Sequence, residues 1–256
     1  MAAKAAKSKR PASYDLNAAG RRRDLLVRIG LTSIVLLFAV VLVGYIVISH
    51  DKKTAASGAR AVRVTSSKLV TKDGSHDPKA VVSFYEDFLC PACGNFEQGF
   101  GNTVAKLIDS GAIAADYYMT GFLSRPQNQD YSSRAANAAY CIADESVEAF
   151  QRFHAKLYNP EIQPKEDGTK FPDNAQLTEY ARQSGVVGKV PQCIKDGKYL
   201  PMVDGLVAAA KIHATPTVRI NGEDYQFSTP DAFVAKIKGI VGDIPGIDSA
   251  ATPAAS

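Results

Sequence analysis

The sequence predicts an α/β domain carrying a mostly helical insertion, preceded by one membrane-spanning helix. Three observations lead there. The run KAVVSFYEDF, residues 79–88, is β-branched, aromatic and almost wholly apolar up to Glu86, the pattern of a strand buried on both faces. Strand-like and helix-like segments alternate around it, then give way to a long alanine-rich helical stretch. Finally, the 21 residues from Ile29 to Ser49 carry no charge.

The N-terminal elements follow from charge and length. Residues 1–28 hold eight Lys/Arg against two acids, which leaves 22 Lys/Arg against 24 Asp/Glu in the remainder. The basic balance therefore belongs to a tail and says nothing about a nucleic-acid-binding core. A helix over 29–49 would rise about 30 Å, enough to cross the hydrocarbon layer. A cleaved signal peptide is the alternative, and the small residues near Ala55–Ala61 would permit cleavage. The apolar run is longer than an ordinary signal core and begins later. The positive tail places the N-terminus in the cytoplasm and the C-terminal part outside it. Residues 50–64 read as a small, polar linker and 246–256 as a disordered tail.

After the first strand, Phe96, Phe100, Val104, Leu107 and Ile108 recur at spacings of three and four, which puts them on one helix face. Gly111 is the expected end cap. Residues 112–123 read as a second strand, and residues 131–200 as several helices. TPTVRINGEDYQF, 215–227, reads as strand, turn and strand, with Asn221-Gly222 as the hairpin signal. A final amphipathic helix covers 229–242, with Pro230 in its first turn.

Cys90-Pro91-Ala92-Cys93 sits between the first strand and the first helix. Zinc is disfavoured, because Cys141 and Cys193 form no second knuckle and His50, His76, His154 and His213 show no ligand spacing. A structural bridge of this span would close only a short loop and constrain the unfolded chain little. A redox role has a mechanism. Pro91 suits the first helical position, and the helix N-terminus stabilises negative charge at Cys90. Cys93, one turn on, is placed to resolve a mixed disulfide formed at Cys90. Pro216, in a run otherwise fit for a strand, marks a strand start, an edge or a cis turn. A cis Thr215-Pro216 bond facing the dithiol would offer the Thr215 backbone to an extended substrate.

The segments DFLCPAC, AANAAYC, FHAKLY, QCIKDGKY and TPTVRINGE, in that order, resemble the DsbA-like branch of the thioredoxin superfamily, and its membrane-anchored actinobacterial members in particular. The resemblance implies a thioredoxin-like core over 65–127 and 213–245, with a helical insertion over 128–212. It implies Cys90 as nucleophile, Cys93 as its partner and Pro216 as the cis-proline preceded by Thr215. Family members oxidise unfolded exported proteins and are reoxidised by a quinone-linked membrane enzyme of the DsbB or VKOR type. No cofactor beyond the Cys90–Cys93 disulfide, no metal and no nucleic acid are implied. Two departures bear on direction. Ala92 stands where the strongest oxidant has His, whose imidazolium would further stabilise a thiolate. Thr215 resembles the isomerase branch.

An even cysteine count outside the cytoplasm favours a second bridge. Pairing Cys90 with Cys93 leaves Cys141 with Cys193, closing a loop of roughly 50 residues worth about 4 kcal/mol in the chain-entropy reading. Glu86 and Asp87 precede the motif. Either one lies near Cys93 and helps move its proton, or both are solvated or paired at the strand end. His213 lies near the dithiol or serves packing and surface. The acids of 161–179 read as a solvated loop and a helix start.

Overall fold

A computed structural model describes residues 59–186 and 188–247. The tail 1–28 and the expected anchor 29–49 lie outside them, as do residues 50–58 and 248–256. No helix among the described residues is long and apolar enough to cross a membrane.

Five strands form one mixed sheet in the order β1-β3-β2-β4-β5, with β1 Val62–Val64, β2 Val81–Glu86, β3 Ala114–Met119, β4 Thr217–Ile220 and β5 Glu223–Asp224. The apolar run of the sequence is the central strand. β2 lies parallel to β3 and antiparallel to β4, with Phe84 opposite Tyr117 and Val218. The parallel crossover is made by α1, Pro91–Asp109. Its apolar stripe is buried at Phe96, Phe100, Val104, Leu107 and Ile108. Gly111, at φ +79°, turns the chain out of α1, and a Cβ there would lie 2.1 Å from the Lys68 carbonyl oxygen. Only glycine meets both conditions.

Two boundaries differ from the sequence reading. Residues 62–64, expected as linker, are the edge strand β1. Val62 and Val64 point inward, while Arg63 makes a two-pronged ion pair with Asp116 of β3. Polar composition around them masked a three-residue alternation. At the other end Ile247 is 3% exposed and belongs to the core, two residues into the segment read as a tail.

The helical block follows β3 through a short 3-10 turn, Pro126–Asn128. It comprises α2 Tyr131–Ala143, α3 Val147–Leu157, α4 Asn174–Gln183, α5 Val190–Asp196 and α6 Leu200–Ala210. Eleven of the residues of α2 are buried, chiefly Ala, Ser and Tyr. Small side chains let α3, α4, α5 and α6 all close on it. Asn221 (φ 51°) and Gly222 (φ 90°) make the expected turn between β4 and β5, and α7, Pro230–Val241, packs back against α1.

Aromatic contacts join the block to the sheet. Phe84 stacks on Tyr117 and meets Phe96 of α1. Tyr117 in turn meets Phe150 and His154 of α3. Buried rings of this size each stabilise the fold by roughly 1.5–3 kcal/mol, so α1 and α3 are held over the same face of β2–β3.

Candidate active site

The site begins where β2 stops. Cys90 occupies the N-cap position of α1 in extended geometry (φ −72°, ψ 118°), and Pro91 takes the first helical position. The Cys90 carbonyl accepts from the N–H groups of Cys93 (3.1 Å) and Gly94 (3.2 Å), which starts the helix. One turn of helix thus separates two thiols with opposite surroundings. Pro91 and Ala92 are exposed, Cys90 is 6% exposed and Cys93 is fully buried. Both cysteines are free thiols.

Their acidities diverge accordingly. The Cys93 thiol hydrogen-bonds to the Cys90 sulfur and leads in lowering the Cys90 pKa to about 6. Thr215 and the backbone N–H groups of Cys93 and Ala92 act in the same direction, against burial. Burial pushes the Cys93 thiol far above its ordinary value, and the neighbouring Cys90 and Glu86 charges add to this. A charge placed at Cys90 is stabilised, while one at Cys93 is opposed.

The β4 end completes the front of the site. The Thr215–Pro216 peptide bond is cis. The Cys90 Sγ lies 3.2 Å from the Thr215 carbonyl oxygen, to which its thiol form donates. His213, two residues earlier, is exposed.

The two acids before the motif have separate surroundings. Asp87 is fully buried, and its two carboxylate oxygens accept from the N–H groups of Leu89 and Leu123, each at 2.8 Å. It ties the turn before Cys90 to the loop after β3. Burial raises its pKa to about 6 despite these bonds. Glu86 is also fully buried and lies 2.8 Å from Nε2 of His154. Burial raises Glu86 to about 8, and burial plus the Glu86 charge raises Glu97 similarly. Burial lowers the His154 pKa.

Gln163 escaped the sequence reading, which placed it in a solvated loop. Its side-chain amide donates to the carbonyl of Cys90 (3.0 Å) and to that of Phe88 (3.2 Å). Its carbonyl oxygen would lie 2.2 Å from a Cβ on Gly94, so the missing side chain of Gly94 makes room for the clamp. A glutamine between Ile162 and Pro164 carries no periodic signal, and the glycine after Cys93 was the one clue. Beside this clamp runs a groove of about 730 Å³ lined by Pro91, Asn95, Gln98, Pro160 and Pro164.

Cys141 of α2 and Cys193 of α5 are disulfide-bonded, with Cα atoms 5.8 Å apart. The bridge lies inside the helical block and fastens its shortest helix to its central one.

Strand, dithiol helix and cis-proline turn in this arrangement define a class, and comparison agrees. The family described as Thioredoxin matches residues 70–239, and the chain belongs to it. The chain is similar to the reduced crystal structure of DsbA from Mycobacterium tuberculosis, with 69% identity and a TM-score of 0.72 over 73% of this chain and 95% of that one. It is also similar to the reduced disulfide bond oxidoreductase DsbG of the same organism, with 65% identity and a TM-score of 0.74 over 79% of this chain and 100% of that one. MdbA of Corynebacterium diphtheriae, at 23% identity and a TM-score of 0.57 over 72% of this chain and 90% of that one, shares the fold. Among curated sequences, the serine/threonine-protein kinase PknE of M. tuberculosis is 25% identical over 126 residues, 48% of this chain and 22% of the kinase. The match thus spans about a fifth of that relative's length. The chain is a DsbA-like member of the thioredoxin superfamily, and its enzyme class is protein disulfide oxidoreductase.

Proposed function

We propose that the chain introduces disulfide bonds into unfolded exported proteins by exchange through Cys90 and Cys93. The observation that carries this reading is the contrast in acidity between the two sulfurs. A substrate thiolate attacks Cys90 of the Cys90–Cys93 disulfide. The S–S bond breaks, Cys93 leaves with the electron pair and takes up a proton, and a mixed disulfide forms at Cys90. A second substrate thiolate then attacks the substrate sulfur of that bond and expels Cys90 as a thiolate. The substrate loses two electrons and two protons, and the protein gains a dithiol. A low-pKa sulfur leaves faster, so the depressed Cys90 favours release of oxidised product.

Thr215 and Pro216 support the reading by standing against Cys90, where an extended substrate backbone can pair with Thr215. The two sulfurs carry the chemistry, and the proposal assigns no other cofactor. Turnover then requires a quinone-linked membrane reoxidant of the DsbB or VKOR type. The uncharged segment 29–49 is read as a single-pass anchor, with residues 1–28 cytoplasmic and the catalytic domain outside. Protease accessibility of the catalytic domain in spheroplasts tests that topology, and a protected domain would reverse it.

A reductase or isomerase of the same fold is the second reading, favoured by Ala92 and Thr215 at the two positions that tune the pair. The Cys90–Cys93 reduction potential separates the two. A value near or above about −200 mV, with oxidation of a reduced peptide, supports the oxidase, and one near about −270 mV supports the reductase. A disulfide that glutathione does not reduce would instead make the domain a non-catalytic binding module.

A further inference from the structure

Glu86, Glu97 and His154 come from three elements, β2, α1 and α3, and meet in the interior beside the dithiol helix. Glu86 Oε2 lies 2.8 Å from His154 Nε2, and Glu97 Oε2 lies 3.9 Å from His154 Nδ1. One donor atom from each residue lies within 4.8 Å of the other two. Glu86 is fully buried, and its other oxygen, Oε1, has no hydrogen-bond partner; Glu97 Oε1 is buried and unpartnered as well. Two buried acidic groups, each with an oxygen left unsatisfied, are costly. A cavity of about 360 Å³ between α1 and α3 reaches the cluster and is lined by Glu97, Tyr117, His154 and Tyr158. The Tyr158 hydroxyl there is also buried without a partner.

We propose that Glu86, Glu97 and His154 form a binding site for one divalent cation of the Zn²⁺ type. The donor set is one imidazole and two carboxylates without thiolate, which suits borderline divalent ions over Cu(I). Cation binding would release the protons that burial holds on Glu86 and Glu97, and the neutral imidazole with two carboxylates then sums to a charge of −2, which a divalent ion cancels and a monovalent ion does not. Tetrahedral zinc with bonds of about 2.0–2.2 Å holds its donors about 3.4 Å apart, so these side chains, whose donor atoms lie within 4.8 Å of one another, must draw together by up to about 1.4 Å to close the shell. Three protein ligands with a cavity on the remaining side leave a position for water, the open form of such sites. The cation would join the helical block, through His154, to β2 and α1 of the core. The inference does not depend on the direction of thiol exchange.

The test titrates Zn²⁺ calorimetrically into the full-length chain with Cys90 and Cys93 oxidised, so that no thiolate competes. One equivalent should bind, and X-ray absorption should show nitrogen and oxygen neighbours and no sulfur. His154→Gln and Glu97→Gln should each weaken binding about 100-fold or more, since even outer-shell changes cost about 10–100-fold. Glu97 stands at the cavity rim, with its side chain 14% exposed, so its isosteric variant decides the matter if His154→Gln misfolds. A variant lacking His50, His76 and His213 should bind as the parent does. Absence of binding, an affinity unchanged in a folded Glu97→Gln variant, or loss of binding with those three histidines overturns the site.

Discussion

The N-terminal end of α1 and the interior of the helical block each hold two of the four cysteines, and they use them in opposite ways. Cys90 and Cys93 are one helical turn apart on one element, at a polarised backbone end against the cis-proline turn. Cys141 and Cys193 are 52 residues apart, on two helices that pack together, and are bonded. The first pair closes so short a loop that its bridge adds little constraint to the unfolded chain, which leaves it free to open and close. The second closes a long loop, where the entropic benefit is large. The difference shows that loop length and the charge environment of the sulfur, rather than the presence of a disulfide, separate an exchangeable bridge from a staple.

The comparison breaks first at Cys90. Cys90→Ser should lower peptide oxidation on the order of 1,000-fold or more, as loss of a nucleophile does elsewhere, while leaving the thermal midpoint of the fold near that of the reduced parent below about pH 6, where Cys90 is a thiol. Cys141→Ala with Cys193→Ala should do the reverse. Stability should fall by about 4 kcal/mol, a thousandfold in the folded-to-unfolded ratio, with the Cys90–Cys93 potential unchanged. Chemical denaturation and redox titration of the same samples check both halves. A shifted potential would mean that the staple also tunes the dithiol.

Acidity sharpens the contrast next. Alkylation of the reduced protein should be half-maximal near pH 6 and confined to Cys90. Because the folded pKa of Cys90 lies below that of an unfolded thiol, about 8.5, the folded state favours the thiolate. The resulting stabilisation of the reduced form is full above about pH 8.5 and is lost as pH falls through about 6. Thermal midpoints of reduced and oxidised protein across that window should therefore converge toward acid. Parallel curves would remove the thiolate from the account.

The smallest effect concerns the clamp between the two regions. Gln163→Ala deletes two hydrogen bonds to the backbone around Cys90 and should cost about 1–2 kcal/mol. Gly94→Ala should displace the same glutamine, since its Cβ meets the Gln163 carbonyl oxygen. The double variant should then be less damaging than the two single effects combined, by about 0.5 kcal/mol or more. Additive losses would show that the loop and the dithiol helix are not coupled.

What could be read in advance was local. The central strand declared itself because burial on both faces demands a continuous apolar run, and α1 because its buried residues repeat at helical spacing. Cys90-Pro91-Ala92-Cys93 was legible because its chemistry lies within one turn, and Asn221-Gly222 because the turn needs two positive φ angles in succession. β1 was missed because three residues give alternation almost no length in which to show. Periodicity tells which face of an element is buried, but it does not name the side chain that meets it. His154 reaches Glu86 across 68 residues and Gln163 reaches the Cys90 carbonyl across 73, and nothing in the spacing of the chain encodes either meeting. Those contacts exist because the helical block folds back over the core, where packing of Phe150 and His154 on Tyr117 decides which polar groups face each other.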